Sequence, residues 1–259
     1  MRFRIRHLGA IASTNIEVKR AIDEGEPEGL VVRADCQTGG YGRQGRTWES
    51  PEGGLYFSML LRPNVDSSQL SMLALVAGMA VRRALARLVG AQAAPLINLK
   101  WPNDIVVVGI QPGVAFAKIC GISSEARKGA VCVGVGVNVH RPADTRPAEI
   151  GPIKNIPAYA ADLPNAETLQ ESLRDRVFNL IMEEFAPLYG QWCTQGFAPF
   201  AGEYAQHDAL RGKRIDVVDR SGEPLASGVA SGVGSDGCLL VASPDGRVTP
   251  VASGEAHIL

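Results

Sequence analysis

Residues 30–61 read LVVRADCQTGGYGRQGRTWESPEGGLYFSMLL, and the fold turns on what joins the two hydrophobic runs. LVVRAD (30–35) reads as a strand. LYFSMLL (55–61) alternates as a second strand, with Tyr56 and Ser58 on one face and Leu55 and Phe57 on the other. Between them, Gly40-x-x-x-x-Gly45-Arg46-Thr47 has the spacing of a P-loop, with arginine at the lysine position. A P-loop passes from a strand into a helix, whose first amides and dipole hold the phosphates. Here Pro51, Gly53 and Gly54 lead into another strand instead, so that reading fails. GVGVN (134–138) imitates a dinucleotide fingerprint but lacks a third glycine and a following helix. Arg43, Arg46 and the loop amides could still wrap an anion, as backbone nests do. A plain hairpin with surface arginines fits the loop equally well.

Outside this stretch the chain reads as one large domain and one small one. Its 259 residues exceed the usual single-domain size. With 46% hydrophobic residues, 20% charged and a net charge of -1, it has no electrostatic reason to bind nucleic acid or membranes. No apolar run approaches the ~18 residues of a membrane span. The cysteines at 36, 120, 132, 193 and 238 are odd in number and form no C-x-x-C pair. They point to a reducing cytoplasm and away from a zinc site.

MRFRIRHLGAIASTN (1–15) leaves no room for a helix-turn-helix, and its alternating arginines suggest a strand with one wet face. STNIEVKRAIDEG (13–25) reads as a short helix, with Thr14 and Glu17 at capping-box spacing and Gly25 as its stop. Residues 66–90 read as the longest helix, capped by Asp66 or Ser67. LINLKWPNDIVVVG, AFAKICGISSEA and GAVCVGVGVNVH suggest three further strands, with a glycine- and proline-bearing turn over 109–118 before Lys118. Residues 141–165 read as an irregular loop and 166–192 as a second amphipathic helix. After residue 209, turn signals at Ser221-Gly222, Asp236-Gly237 and Asp245-Gly246 separate four or five short strands, as in a small β-barrel. The domains are expected at 1–208 and 209–259.

Five stretches then occur in order: STN (13–15), QTGGYGRQGRTW (37–48), LKWPND (99–104), KICGISSE (118–125) and GVGVN (134–138). The set resembles the catalytic domain of biotin protein ligases, over roughly residues 8–140, and the tail SGEAHIL resembles the end of that family's C-terminal barrel. The resemblance implies an α+β fold: a class II synthetase-like catalytic domain with a mixed sheet packed with helices, followed by an SH3-like barrel. It implies attack of the biotin carboxylate on the α-phosphate of ATP, then transfer from biotinyl-5′-AMP to a lysine of a biotin carboxyl carrier protein. Mg²⁺ would accompany ATP, and a homodimer is possible.

By the same resemblance, Lys118 would touch both the biotin carboxylate and the α-phosphate, and Arg43 would contact phosphate and hold the adenylate. Ser13, Thr14, Asn15, Gln37, Gly40, Tyr41 and Gly121 would join Lys118 around biotin. Arg46, Trp48, Asn103, Asp104 and Asn138 would join Arg43 around ATP or the adenylate, with Asp104 also the candidate Mg²⁺ ligand. The loop would be mobile and order over ligand. Tyr41 and Gln44 stand where the family loop is usually basic, which implies faster escape of the adenylate. Ser123 stands where an aliphatic residue lines the biotin pocket, which puts biotin affinity in question. A lipoate or octanoate ligase on the same scaffold, and a non-catalytic biotin-binding protein, are the rival readings; the polar trio Ser13, Thr14 and Gln37 favours biotin.

Overall fold

The computed structural model describes residues 1–109, 113–142, 156–166 and 172–259. Most of the loop expected over 141–165, the first turn of the helix expected from 166, and part of the turn before Lys118 lie outside these residues.

Seven strands form the larger sheet: β1 (Arg4–Ile11), β2 (Leu30–Gln37), β3 (Leu55–Leu61), β4 (Ile97–Lys100), β5 (Asp104–Val107), β6 (Ala117–Arg127) and β7 (Ala130–Val137). Their order is β1-β2-β3-β7-β6-β5-β4. β1 and β2 run parallel through the connecting helix α1 (Thr14–Asp23), and the other neighbours are antiparallel. The sheet is mixed because α1 carries the chain back parallel to β1, while the strands that flank the glycine loop, β2 and β3, are antiparallel. A second, antiparallel sheet has the order β11-β10-β9-β8-β12, from β8 (Arg214–Val218), β9 (Pro224–Val233), β10 (Leu239–Ala242), β11 (Val248–Val251) and β12 (Glu255–Ile258).

β3 is buried along its whole length because helices cover both faces of the sheet. Leu55, Phe57, Met59 and Leu61 enter the main core with α2 (Leu73–Val89) and α3 (Leu173–Gln195), where Phe57 meets Phe178 edge-on at 5.2 Å. Leu60 faces the other way, into a smaller core with Val18 and Ile22 of α1. Ser58 shares that face and hydrogen-bonds into the start of α1. The side beneath α1 therefore begins apolar and turns polar, and the polar end is where the site lies. The two sheets share one continuous core. Trp101, buried after β4, donates from Nε1 to the Gly237 carbonyl at 3.1 Å.

Several local expectations change. The stretch 66–90 is not one helix. Asp66 accepts from Ser68 and caps a 3₁₀ turn, Ser67–Met72, before α2 begins. Short polar side chains bond their own backbone and delay the helix. α3, with 23 residues, is longer than α2, with 17. LINLKWPNDIVVVG holds two strands, because Pro102 cannot donate to a ladder and the chain turns there. Ser13, not Thr14, is the N-cap of α1, so Glu17 falls one position too late for a capping box, and Ser13 makes no side-chain cap bond. β1 is an edge strand exposed on both faces, with Ile5 56% exposed, so the single wet face is not realised.

The segment after the short helix α4 (Ala201–Gln206) pairs with β4: Leu99 donates to the His207 carbonyl and accepts from the Ala209 amide, both at 2.8 Å. Between them Asp208 accepts from the Leu210 amide through Oδ1, while its Oδ2 is buried without a partner. Burial pushes its carboxyl up from 3.8 to about 6. A carboxyl whose folded pKa is raised favours folding fully below pH 3.8, and that contribution is lost as pH rises through about 6. Asp208→Asn keeps the Oδ1 acceptor and removes the charge. Thermal melts should therefore show the variant more stable than wild type by about 1 kcal/mol at pH 7.5, allowing for partial exposure of the group. The difference should vanish near pH 4, and equal melting temperatures at pH 7.5 would refute the assignment.

Candidate active site

The first turn of α1 meets the ends of β2, β6 and β7 around a cavity of about 290 Å³. Its floor is a chain of hydrogen bonds. Thr14 donates to Gln37 Oε1 from both its amide (2.8 Å) and its hydroxyl (3.1 Å). Gln37 Nε2 donates to Ser50 at 2.8 Å. Ser58 Oγ lies 2.7 Å from Thr14 Oγ1 and 2.6 Å from Asn15 Oδ1. Asn15 Nδ2 donates to Ser123 Oγ (3.1 Å) and Glu125 Oε1 (3.3 Å). Asn15 has thus committed both amide hydrogens and its oxygen within the protein. It holds the floor rather than greeting a ligand. The Ser13 hydroxyl, which makes no cap bond, and the second hydrogen of Gln37 Nε2 are the better-placed polar groups.

The glycine loop folds as a tight hairpin over this floor. Tyr41 pairs with Thr47, Gly42 donates to the Arg46 carbonyl at 2.8 Å, and Trp48 donates to the Gly40 carbonyl at 2.9 Å. Gly40 packs so closely that a Cβ would lie 2.5 Å from Ser50 Oγ and 2.6 Å from the Trp48 carbonyl. The indole of Trp48 lies against Gly121 and Gly136, where a Cβ would stand 3.0 Å from Cζ3 and 2.5 Å from Nε1 respectively. Trp48 Nε1 is buried with no hydrogen-bond partner.

Four cations and two carboxylates line the cavity: Arg43, Arg46, Lys100 and Lys118 with Asp104 and Glu255. Lys118 Nζ sits 2.8 Å from Asp104 Oδ1 and 5.2 Å from the Trp48 ring centre. Arg43 donates weakly to Asn103 Oδ1 (3.3 Å) and to the Gly254 carbonyl (3.4 Å). Burial depresses the Arg43 guanidinium, with Asp104 pulling the other way, and it depresses the Lys100 ammonium in the same manner. Arg46 pairs with Glu255, its Nη1 at 2.7 Å from Oε1. The excess of positive charge, held partly out of water, is an environment for an anion carrying more than one charge.

Behind Trp48 lies a second cavity of about 320 Å³, bordered by Asn138, Tyr56, His140 and Tyr159. Thr47, Trp48 and Lys118 border both cavities. Asn138 Nδ2 donates to the Lys118 carbonyl at 3.3 Å.

Of the residues expected at the site, the first cavity gathers all but Gly40, which packs behind the loop, and Asn138, which faces the second cavity. Lys100, Gly254 and Glu255 were missed as site residues. Lys100 lay inside a quoted motif and shares the less buried face of β4 with Asn98, a period-2 signal. Glu255 lies 209 residues from Arg46, and no local pattern relates the two. Among the described residues no group of three or more His, Cys, Asp or Glu could hold a metal ion. The cavity's two carboxylates face cations instead, Asp104 beside Lys118 and Glu255 beside Arg46.

The biotin/lipoate A/B protein ligase family model matches residues 10–140. The biotin–acetyl-CoA-carboxylase ligase of Paracoccus denitrificans is 31% identical over 246 residues, covering 93% of this chain and 95% of that protein. The bifunctional ligase/repressor BirA of Bacillus spizizenii is 30% identical over 242 residues, covering 91% and 68%. The structure is similar to the biotin protein ligase from Aquifex aeolicus in complex with biotin and ATP, with a TM-score of 0.80, 26% identity, and 99% and 98% of the two chains covered.

Proposed function

The chain belongs to the biotin/lipoate A/B protein ligase family, and from that premise we propose that it is the biotin-specific ligase whose two cavities divide the two substrates of adenylation. The protein uses ATP to ligate biotin to the biotin carboxyl carrier protein of acetyl-CoA carboxylase, through biotinyl-5′-AMP. The observation that carries the division of the site is Lys118, which borders both cavities. Biotin enters over the Ser13–Gln37–Ser123 floor, and the adenine base enters beside Trp48 and Asn138.

In the first step a biotin carboxylate oxygen bonds to the α-phosphorus and pyrophosphate leaves with the electron pair. Two anions must close on each other, and the ammonium of Lys118 offsets their repulsion and the charge that grows at phosphorus. Asp104 holds that ammonium in place and Gly121 leaves room for it, since a Cβ there would lie 3.2 Å from Lys118 Nζ. Arg43, Arg46 and Lys100 face the departing phosphates. In the second step the carrier lysine amine attacks the mixed anhydride and AMP leaves. Mg²⁺ binds through one or two carboxylates together with substrate phosphates, and Asp104 is a carboxylate beside the cations of this cavity. Asp104 would hold it, and the ion would supply charge neutralisation of the phosphates. The five unpaired cysteines support a cytoplasmic setting and the net charge of -1 supports action without nucleic acid. A division into domains at 1–208 and 209–259 is supported by the second sheet's beginning at Arg214.

Exchange of labelled pyrophosphate into ATP tests the assignment, run with biotin, lipoate and octanoate in parallel. Exchange with biotin alone is expected. Exchange with lipoate or octanoate instead would move the protein to the sister activity. Silence with all three would leave only a binding role.

A further inference from the structure

Opposite the charged wall, a second set of ionisable groups joins the loop to the body of the protein, and the chemistry just described does not use it. Lys19, one turn along α1 from Asn15, extends to the loop and places Nζ 2.6 Å from Tyr41 Oη and 2.9 Å from Glu125 Oε2. The same ammonium lies 5.1 Å from the centre of the Tyr41 ring. Glu125 uses its other oxygen to accept from Asn15, whose oxygen accepts from Ser58, which in turn reaches Thr14 and Gln37. The hydrogen bonds therefore run in a closed circuit. They leave the chain at Gln37, pass through α1, β3 and β6, and return at Tyr41, four residues further on.

We infer that Lys19, Tyr41 and Glu125 form a latch that fixes the Gly39–Tyr41 entrance of the glycine loop against the biotin floor, making Lys19 and Glu125 positioning residues for biotin. The inference rests on the ligase reading. Its geometry explains the unusual tyrosine. The family loop is generally basic here, and this chain instead brings a cation from α1 to meet a neutral ring. Tyr41 lines the first cavity, so its ring becomes a wall held from behind by a charge-assisted bond. Burial pulls the Lys19 ammonium down, but the hydrogen bonds to Tyr41 and Glu125 outweigh it. Burial raises the Tyr41 phenol despite Lys19. Both groups keep their protons at neutral pH. Only the loop beyond Tyr41, with Arg43 and Arg46, is left to adapt to the nucleotide. The ordering that biotin binding would otherwise demand is already met at the entrance, and a fixed wall slows dissociation.

A double-mutant cycle tests this, with Lys19→Met, Tyr41→Phe and the pair, in equilibrium biotin titration, stopped-flow dissociation and steady-state kinetics. Loss of one charge-assisted bond at a partly exposed site should weaken biotin binding about fivefold, mainly by faster dissociation. In Lys19→Met the Michaelis constant for biotin should rise by the same factor with kcat within twofold. The paired variant should be no weaker than Lys19→Met alone, because Tyr41→Phe removes a contact that Lys19→Met has already removed. Glu125→Gln, which keeps an oxygen for Asn15 and removes the charge facing Lys19, should reproduce part of the effect with the protein folded. Additive losses, or biotin binding unchanged in the singles, would overturn the latch. Wild-type protein that binds no biotin would overturn both the latch and the ligase reading.

Discussion

Lys118→Ala protein is expected to lose roughly a hundred- to a thousandfold in biotin-dependent pyrophosphate exchange, the scale of removing one pre-placed charge from a transition state. Lys118, with Thr47 and Trp48, borders both cavities, and its ammonium is held by Asp104 at 2.8 Å and by the face of Trp48. Arginine is not expected to restore the rate. Its planar fork cannot occupy the space that Gly121 leaves for a compact point charge. Removing Lys118 also strands Asp104, which could depress the rate for a different reason. The double variant Lys118→Ala with Asp104→Asn leaves no unpaired carboxylate, and Asp104→Asn alone measures what loss of the proposed Mg²⁺ contact costs. If the double variant recovers most of the exchange, Lys118 serves Asp104 and not the reacting atoms. Exchange within tenfold of wild type in the single variant would remove Lys118 from the mechanism altogether.

The second large effect concerns two glycines two residues apart on β7, which face the site together but support different substrates. A Cβ at Gly134 would lie 2.2 Å from Asn15 Oδ1 and 2.7 Å from Ser123 Oγ. Asn15 cannot retreat without breaking bonds to Ser58, Ser123 and Glu125. Gly134→Ala should therefore weaken biotin binding by roughly ten- to a hundredfold, the cost of forcing an extra methyl into a packed polar core. A Cβ at Gly136 would lie 2.5 Å from Trp48 Nε1 and would push the indole off its seat. Gly136→Ala should raise the Michaelis constant for ATP by a similar factor while biotin titrates with much smaller change. Measuring both ligands against both variants gives a crossed pattern. Equal losses of both ligands in both variants would mean that β7 simply fails to form, and the division of labour between the cavities would be lost with it.

The local parts of the site were legible because their chemistry is local. A strand, a glycine loop and a second strand could not be a P-loop, whatever lay elsewhere; the mixed sheet was an implication of the resemblance, since the parallel pair that makes it mixed, β1 and β2, lies outside that stretch. Gln37, Trp48, Asp104 and Lys118 sat in short ordered stretches, and the structure gathers them round one cavity. What escaped notice depends on partners far along the chain. Thr14 was read as a helix cap, but Gln37, 23 residues on, takes its hydroxyl. Asn15 has the residue type of a ligand contact, yet its capacity is spent on groups 43 and 108 residues away. Tyr41 stood out as a departure from a basic position, while its compensating lysine lay 22 residues upstream on α1, with no local pattern to relate the two. The 3₁₀ opening before α2 shows the opposite limit, where a local serine–aspartate preference overrode an otherwise helical run.

Trp48 forms a partition with a room on either side, and a shared partition has a thermodynamic consequence. If an acid on one side seats the indole more firmly against Gly121 and Gly136, the nucleotide on the other side meets a wall already ordered. Linkage then requires the converse by the same factor, so each substrate must sharpen the affinity for the other equally. The ratio of biotin dissociation constants with and without a non-reactive nucleotide would be a property of one side chain, readable from either room.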